Sequence, residues 1–536
     1  TVAWLQKLVA AAPELRLLSL GKSPEGRELW LVIASREGAA SAAALRANGR
    51  PTLFAQAGIH AGEIDGKDAG LMLLRDLTVA GTKKALLDRA NFVFVPIFNV
   101  DGHERCSAFT RINQRGPKAA GWRTTARNLN LNRDYAKLDA PEMRMMVGAL
   151  NDFAPDLYFD LHVTDDTDHQ YDITFGWNWP RATSPAIANW LEGTLRPAAS
   201  ADLRAMGHIP GPLIQLVDSL DPDQGLSASF GPPRFSTGYG DVRHLPTVLV
   251  ENHSLKPYAQ RVLGDYVLLD SALRLLGRES ESLRRAVRED QERRPAELVL
   301  NWQAPEPAPR EIELLGIEWR VTASPVSGGQ RLEYTGRPQT RRAKVYDATL
   351  PGAVARRPKA YWLPPAWPEV IERLRLHGIR FERQEQARAV TVEMVRARDP
   401  KLAPSTFEGH VGVTATLEAE RRDEVYAAGS VRVPTDQPLG DLAMALLEPA
   451  APDSLFAWGF FNEVLQPTEY VEGYVMEPMA ERMLAADPAL RAEFDKKLAA
   501  DAEFAKDPRA RLQWFYLRTP FADERAGLIP VGREVD

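Results

Sequence analysis

Between Thr52 and His253 the chain repeats one arrangement, an apolar run of strand length followed, after most runs, by a stretch with helical spacing. The strand-like runs are "TLFAQAG" (52–58), "FVFVPIF" (92–98), "LYFDLHV" (157–163) and "TVLVENH" (247–253). The helical ones are "GKDAGLMLLRDL" (66–77), "PEMRMMVGALNDF" (141–153) and "IANWLEGTLRPAASADLRAM" (187–206). Strands with almost no polar interruption are buried on both faces, and the intervening helices supply the cover. An α/β fold is therefore expected, with a mixed, mostly parallel sheet flanked by helices. "LRLLSL" and "ELWLVIAS", on either side of "GKSPEG", predict a hairpin leading into that sheet.

The pattern does not last to the end of the 536 residues. A charged helix, "ESLRRAVREDQERR" (281–294), is followed by the proline-rich "APEPAPREIE" (304–313), which favours an extended connector. Beyond it "TFEGHVGVTATLEAE" and "EVYAAGSVRVPT" alternate apolar and polar residues, as half-buried antiparallel strands do. Helical spacing returns in "LGDLAMALLEP" and "ERMLAADPALRAEFDKKLAADAEF". Three parts are expected: an α/β domain over 1–295, a linker over 296–310, and a β-rich and helical accessory region over 311–536. One core rarely serves more than about 300 residues, which agrees with this division.

Composition narrows the function classes. A net charge of −6 over this length is mild and points to neither nucleic acid nor a membrane surface. No apolar run approaches the roughly 20 residues of a membrane span. Cys106 is the only cysteine, which excludes an internal disulfide and any cysteine-rich metal site. The chain starts at Thr1 and not at methionine, which suggests a trimmed leader and a soluble protein of the periplasm or medium. Oligomeric state is not legible.

Seven of the nine histidines precede residue 254, so chemistry is expected in the first part. "FAQAGIHAGEIDGKDAG" places His60 and Glu63 three apart, just beyond an apolar strand, with Gly58, Gly62 and Gly66 around them. Open α/β sheets put their ligand sites beyond the carboxyl ends of strands. An imidazole nitrogen and a carboxylate oxygen in such a turn suit Zn²⁺, which needs a third protein ligand and an open position for catalysis. His162, ending "LYFDLH", occupies the same kind of place; His169 and Asp165 are rivals for the role. Asp160, Asp165, Asp166 and Asp168 could orient a ligand imidazole or form a solvated loop.

His60-Ala-Gly-Glu63, "NLNLNRDY" (128–135), His162 after its strand and "TVLVENHSLKPY" (247–258), in that order, resemble the zinc metallocarboxypeptidases, the carboxypeptidase A-like M14 peptidases. The resemblance covers residues 1 to about 280, in a chain whose layout is similar to larger bacterial members with C-terminal extensions. It implies a hydrolase with one Zn²⁺ per chain held by His60, Glu63 and His162. Glu251 is implied as general base, exchanging a proton between water and the leaving amine. Asn132 and Arg133 are implied to hold the substrate's terminal carboxylate, a task that suits the planar arginine fork. Arg111, in preference to Arg115, is implied to face the oxyanion. Tyr239, in a glycine-rich loop, is the counterpart of the family's mobile tyrosine. The partner is then a peptide with a free C-terminal carboxylate.

Three points stay open in the sequence. Asp221, Asp223 and Asp241 would favour a basic terminal side chain, whereas Phe230 and Phe235 would favour an apolar one. His253 and Lys256 read as a strand terminus facing water. Alternative functions are a zinc amidohydrolase or deacylase for small N-acyl amino acids, and a non-catalytic peptide-binding module. Asn132, Arg133 and Arg111 disfavour the first, and the presence of Glu251 with all three ligands disfavours the second. The C-terminal half, with only His377 and His410, reads as a scaffold that caps the first part, restricts access or binds a partner.

Overall fold

The computed structural model describes residues 1–164, 167–228, 231–307, 310–466 and 469–535. Ten strands precede residue 254: β1 (Leu15–Lys22), β2 (Glu28–Ala34), β3 (Thr52–Ala57), β4 (Asn91–Val95), β5 (Leu157–Thr164), β6 (Ile173–Gly176), β7 (Pro210–Pro212), β8 (Gln215–Leu216), β9 (Leu226–Ala228) and β10 (Thr247–His253). Eight of them form one sheet in the order β1-β2-β4-β3-β5-β10-β6-β7. The centre is parallel, since β4, β3, β5 and β10 run the same way, and the expected hairpin β1–β2 closes one edge antiparallel.

Both faces of the central strands are buried, which accounts for their unbroken apolar character. On one face Leu53, Ala55, Phe92, Phe94, Phe159 and Val250 share a cluster with residues of the helices Val2–Ala11, Asp65–Leu77 and Tyr258–Glu292. The charged stretch 281–294 is the outer end of that last helix, 35 residues long. On the other face Leu31, Phe54, Val93 and Tyr158 pack with Met143, Met146 and Leu150 of the helix Pro141–Phe153. Proline at its first position suits a helix start, where no internal N–H partner is needed.

The second face is completed by the C-terminal half. Tyr361, Val370, Leu374, Leu446, Leu455, Ile529 and Val531 belong to the same contiguous cluster as Phe54 and Tyr158. The stretch "AWPEVIERLRLHGIRFE" contributes as packed core, with Val370, Ile371 and Leu374 buried. A long hairpin, Arg310–Ala323 with Gln330–Asp347, extends a second sheet onto the first part, Val345 pairing with Leu226 of β9. A six-stranded sheet that includes Arg388–Leu402 and Val413–Tyr426 makes up most of the remaining β structure, and short helices over 473–516 form a small cluster of their own. No helix among the described residues is long and apolar enough to cross a membrane.

Candidate functional site

The sheet register brings separate parts of the chain to one edge. Gln56 of β3 is level with Asp160 of β5, and His162 of β5 is level with Glu251 of β10. Residues two apart on a strand share a face, so Asp160 and His162 point the same way as Gln56 and Glu251. The chain leaves β3 through Gly58, whose φ of +68° is a left-handed conformation that glycine adopts without strain. The turn then closes with the Glu63 N–H donating to the His60 carbonyl at 2.9 Å. Gly62 is needed for a different reason: a Cβ there would lie 2.5 Å from Arg111 Cγ, so the space is taken by the arginine that crosses the turn.

His60, Glu63 and His162 present one donor atom each, all within 4.8 Å of one another, and all three residues are buried. His60 Nδ1 lies 3.0 Å from Glu63 Oε1 and His162 Nδ1 lies 3.0 Å from Oε2. Each ring's far nitrogen lies 3.0 Å from an oxygen. His60 Nε2 is 3.0 Å from Asn130 Oδ1, whose acceptor role is fixed by the Asn132 N–H that it also receives at 2.9 Å. His162 Nε2 is 3.0 Å from Asp160 Oδ1, which also accepts from Gln56 at 2.7 Å. With protons on both Nε2 atoms, the Nδ1 lone pairs are the ones offered inward. Two imidazole nitrogens and a carboxylate held in this way fit a divalent transition metal such as zinc.

Electrostatics agree with a cation-holding site. Burial opposes ionisation of Glu63, but the neighbouring His60 and the Arg111 guanidinium outweigh it and hold the carboxyl well below its usual range. Burial likewise opposes a charge on His162, yet Asp160 and Glu63 keep the ring's affinity for a proton well above the ordinary value. The same carboxylates would favour a metal cation in the proton's place.

A cleft of about 220 Å³ opens beside these residues, with Glu251, Leu249, Thr174, His169, Trp177, Phe235 and Asn132 among its walls. Arg133 stands at this wall, its guanidinium 4.5 Å above the Phe235 ring. Two arginines face Glu63. Arg111 Nη2 is 2.9 Å from Oε1, but its side chain is almost enclosed and its Nε is committed to Gln114. Arg123 Nη1 is 3.6 Å from the same oxygen with its side chain 42 % exposed, so it is the guanidinium with room to meet a ligand. Sequence reading missed Arg123 among several nearby arginines; its place between Trp122 and the 128–135 motif was the available signal. Arg115 is exposed.

Several expectations meet a different outcome. Tyr239 does not reach the cleft: it lies in a helix, Ser236–Val242, fully buried, with its ring tilted on Tyr135 and its hydroxyl 2.9 Å from His377 Nδ1. His253 does not face water either. It is buried against the His169 ring and 2.9 Å from Asp168, while Lys256 donates to the His169 carbonyl. Asp165, Asp166 and Phe230 lie outside the described residues. Asp241 is buried, its carboxylate taken up by the Asn178 side-chain amide and the N–H groups of Thr183 and Ser184, while Asp221 and Asp223 belong to a peripheral turn. Among the described residues lining the cleft, Glu251 is the one carboxylate, and Arg133 stands next to them over Phe235.

The family model for zinc carboxypeptidases matches residues 1–167, the part that carries His60, Glu63, the 128–135 motif and His162. This segment is similar to the zinc carboxypeptidase family. Curated relatives include carboxypeptidase 2 of Trichophyton tonsurans and of Trichophyton equinum, each 31% identical over 103 residues, 19% of this chain and 19% of theirs. The chain thus spans about a fifth of the length of the curated relatives that it matches. Among solved structures, similar ones are a metallo-carboxypeptidase from Burkholderia cenocepacia (18% identity, TM-score 0.36, covering 51% of this chain and 67% of that one) and carboxypeptidase A from Helicoverpa armigera (16%, 0.37, 53% and 72%). Glu251 lies outside the matched zinc carboxypeptidase segment and enters the site only through the pairing of β10 with β5.

Proposed function

We propose that this protein is a zinc-dependent metallocarboxypeptidase that hydrolyses the C-terminal peptide bond of peptides. The observation that carries the reading is the level placement of Glu251 and His162 on adjacent parallel strands, which sets a carboxylate beside the three-ligand cluster and inside the same cleft as Asn132. His60 and His162, through Nδ1, and Glu63 would hold the metal. When bound, it supplies Lewis-acid character, polarising a carbonyl and acidifying water. Glu251 takes the proton of the water that adds to the scissile carbonyl, and returns it to the amine as the C–N bond breaks. Arg123, with Arg111 behind it, faces the negative charge that develops on the carbonyl oxygen. Asn132 and Arg133 receive the terminal carboxylate at the wall of the cleft.

Two outcomes at the bench test this reading. Purified protein should contain about one zinc per chain, and His162→Ala should lose it, both read by elemental analysis; full activity without metal would end the proposal. A peptide panel followed by mass spectrometry should show stepwise C-terminal trimming. With Arg133 taken up by the terminal carboxylate and Glu251 the one carboxylate among the described lining residues, the aromatic and aliphatic side chains of the wall favour uncharged apolar or aromatic terminal residues over lysine, arginine or acids. Amidating the terminus should lower kcat/KM roughly 10- to 100-fold, the scale of a lost charged hydrogen bond. Cleavage indifferent to amidation would remove Asn132 and Arg133 from carboxylate recognition, and the carboxypeptidase reading with them.

A further inference from the structure

The segment that carries Asn132 and Arg133 is held largely by side chains more than 200 residues away. His377 Nε2 reaches the Ala136 carbonyl at 3.0 Å, and Arg373 donates to the Lys137 carbonyl and to Asp139, both at 2.9 Å. His410 Nε2 is 2.7 Å from Asp139 Oδ2. At the other end of the segment the Asn130 N–H donates to Glu408 Oε2 at 2.7 Å.

Glu408 pays for that contact with its backbone. It has φ +50° and is followed by Gly409 at +83°, so two left-handed residues cap a turn closed by reciprocal Phe407–His410 hydrogen bonds of 2.8 and 3.1 Å. Such two-residue turns favour asparagine, aspartate or glycine at the first position, and glutamate there costs about 1 kcal/mol or more. The turn is anchored on both sides: the Phe407 ring stacks on Trp458 with centroids 5.9 Å apart, and His410 lies 4.8 Å from Phe460. A strained residue whose side chain bonds to one backbone donor 278 positions earlier is doing more than turning the chain.

Asn130 is the hub that receives this contact. Its side-chain oxygen accepts from His60 Nε2 and from the Asn132 N–H. Fixing the Asn130 backbone therefore fixes the direction in which His60 presents Nδ1, and at the same time the position of Asn132. We propose that Glu408 is a positioning residue of the metal centre, through which the C-terminal half orients the ligand His60 by way of Asn130. The inference rests on the metallopeptidase reading, and it assigns to the distal half a task at the site beyond packing.

The test compares Glu408→Ala, Glu408→Gly and Glu408→Gln with the unaltered full chain. It measures zinc affinity by competition with a chromogenic chelator, metal-free thermal unfolding, and kcat and KM on a trimmed peptide. Second-layer partners of metal ligands typically contribute 10–100-fold to affinity. Glu408 acts one contact further out, through Asn130, so zinc affinity should fall by about the lower figure, roughly 10-fold, in the alanine and glycine variants, with kcat falling alongside. Glutamine keeps an acceptor oxygen and should restore most of both. Glycine relieves the left-handed backbone, so its metal-free unfolding temperature should equal or exceed that of the unaltered protein even as zinc affinity drops. Zinc affinity within about twofold of the unaltered protein in both truncated variants would overturn the positioning role and leave the metallopeptidase reading intact. Equal weakening in all three variants with parallel loss of metal-free stability would reduce Glu408 to a folding contact. An unaltered protein that binds no zinc would remove the metal reading, and this inference with it.

Discussion

Replacing Glu251 by glutamine is expected to lower kcat by about 10²–10⁴-fold, the contribution of a positioned general base, while the protein keeps its zinc. Glutamine matches glutamate in shape, so the pairing of β10 with β5 and the cleft wall should survive, and only the capacity to accept a proton is removed. His169 is the other titratable group in the cleft. Burial and the charge of His253 push it down to about 3, and its Nδ1 is engaged with the Tyr171 carbonyl, so it is too weak a base to take over. Steady-state kinetics on the preferred peptide and zinc content on the same preparation separate the two effects. A variant that keeps more than roughly a tenth of the original kcat would take Glu251 out of the proton transfer.

Arg261→Met is expected to cost about 3–5 kcal/mol of stability, the scale for stripping one partner from a buried ion pair. Arg261 and Asp65 are both fully buried, with Nε 2.9 Å from Oδ2. The guanidinium also donates to the carbonyls of Ser254 and Gly116, so a single side chain ties the helix Tyr258–Glu292 to the helix that follows Glu63, to the loop near Arg115 and to the end of β10. Methionine fills much of the space but leaves Asp65 charged or protonated with no cation, and two carbonyls short of a donor. Denaturant titration should show the loss. The double variant with Asp65→Asn should recover a substantial share of it, because the uncompensated charge is then gone. Equal stability of Arg261→Met and the unaltered chain would mean that the pair contributes no net stability.

What the sequence discloses and what it hides divide along contact distance. The sheet and its helices were legible because each strand is buried on both faces and each helix carries its own apolar stripe, properties written locally. His60, Glu63, His162 and Glu251 were legible for a related reason: each follows or ends an apolar strand, and parallel strands of one sheet deliver such residues to a common edge. Arg123 was hidden among neighbouring arginines, since only burial distinguishes it from the enclosed Arg111. Tyr239 and His253 were misjudged because a glycine-rich loop and a strand terminus both suggest exposure. In each case a distant partner, His377 or Asp168, draws the side chain inward. Glu408 carries no local mark except a left-handed turn, and its partner Asn130 is remote in the chain.

The apolar layer beneath Phe54 and Tyr158 is laid down by Tyr361, Leu446 and Ile529, so the strands that present the candidate site rest on a floor built from residues more than two hundred positions later in the chain. On that packing, the site would settle only once the second half has folded against the first. Lesions far out in the second half would then be inherited by the chemistry as lost turnover, with every residue around the ligand cluster still in place.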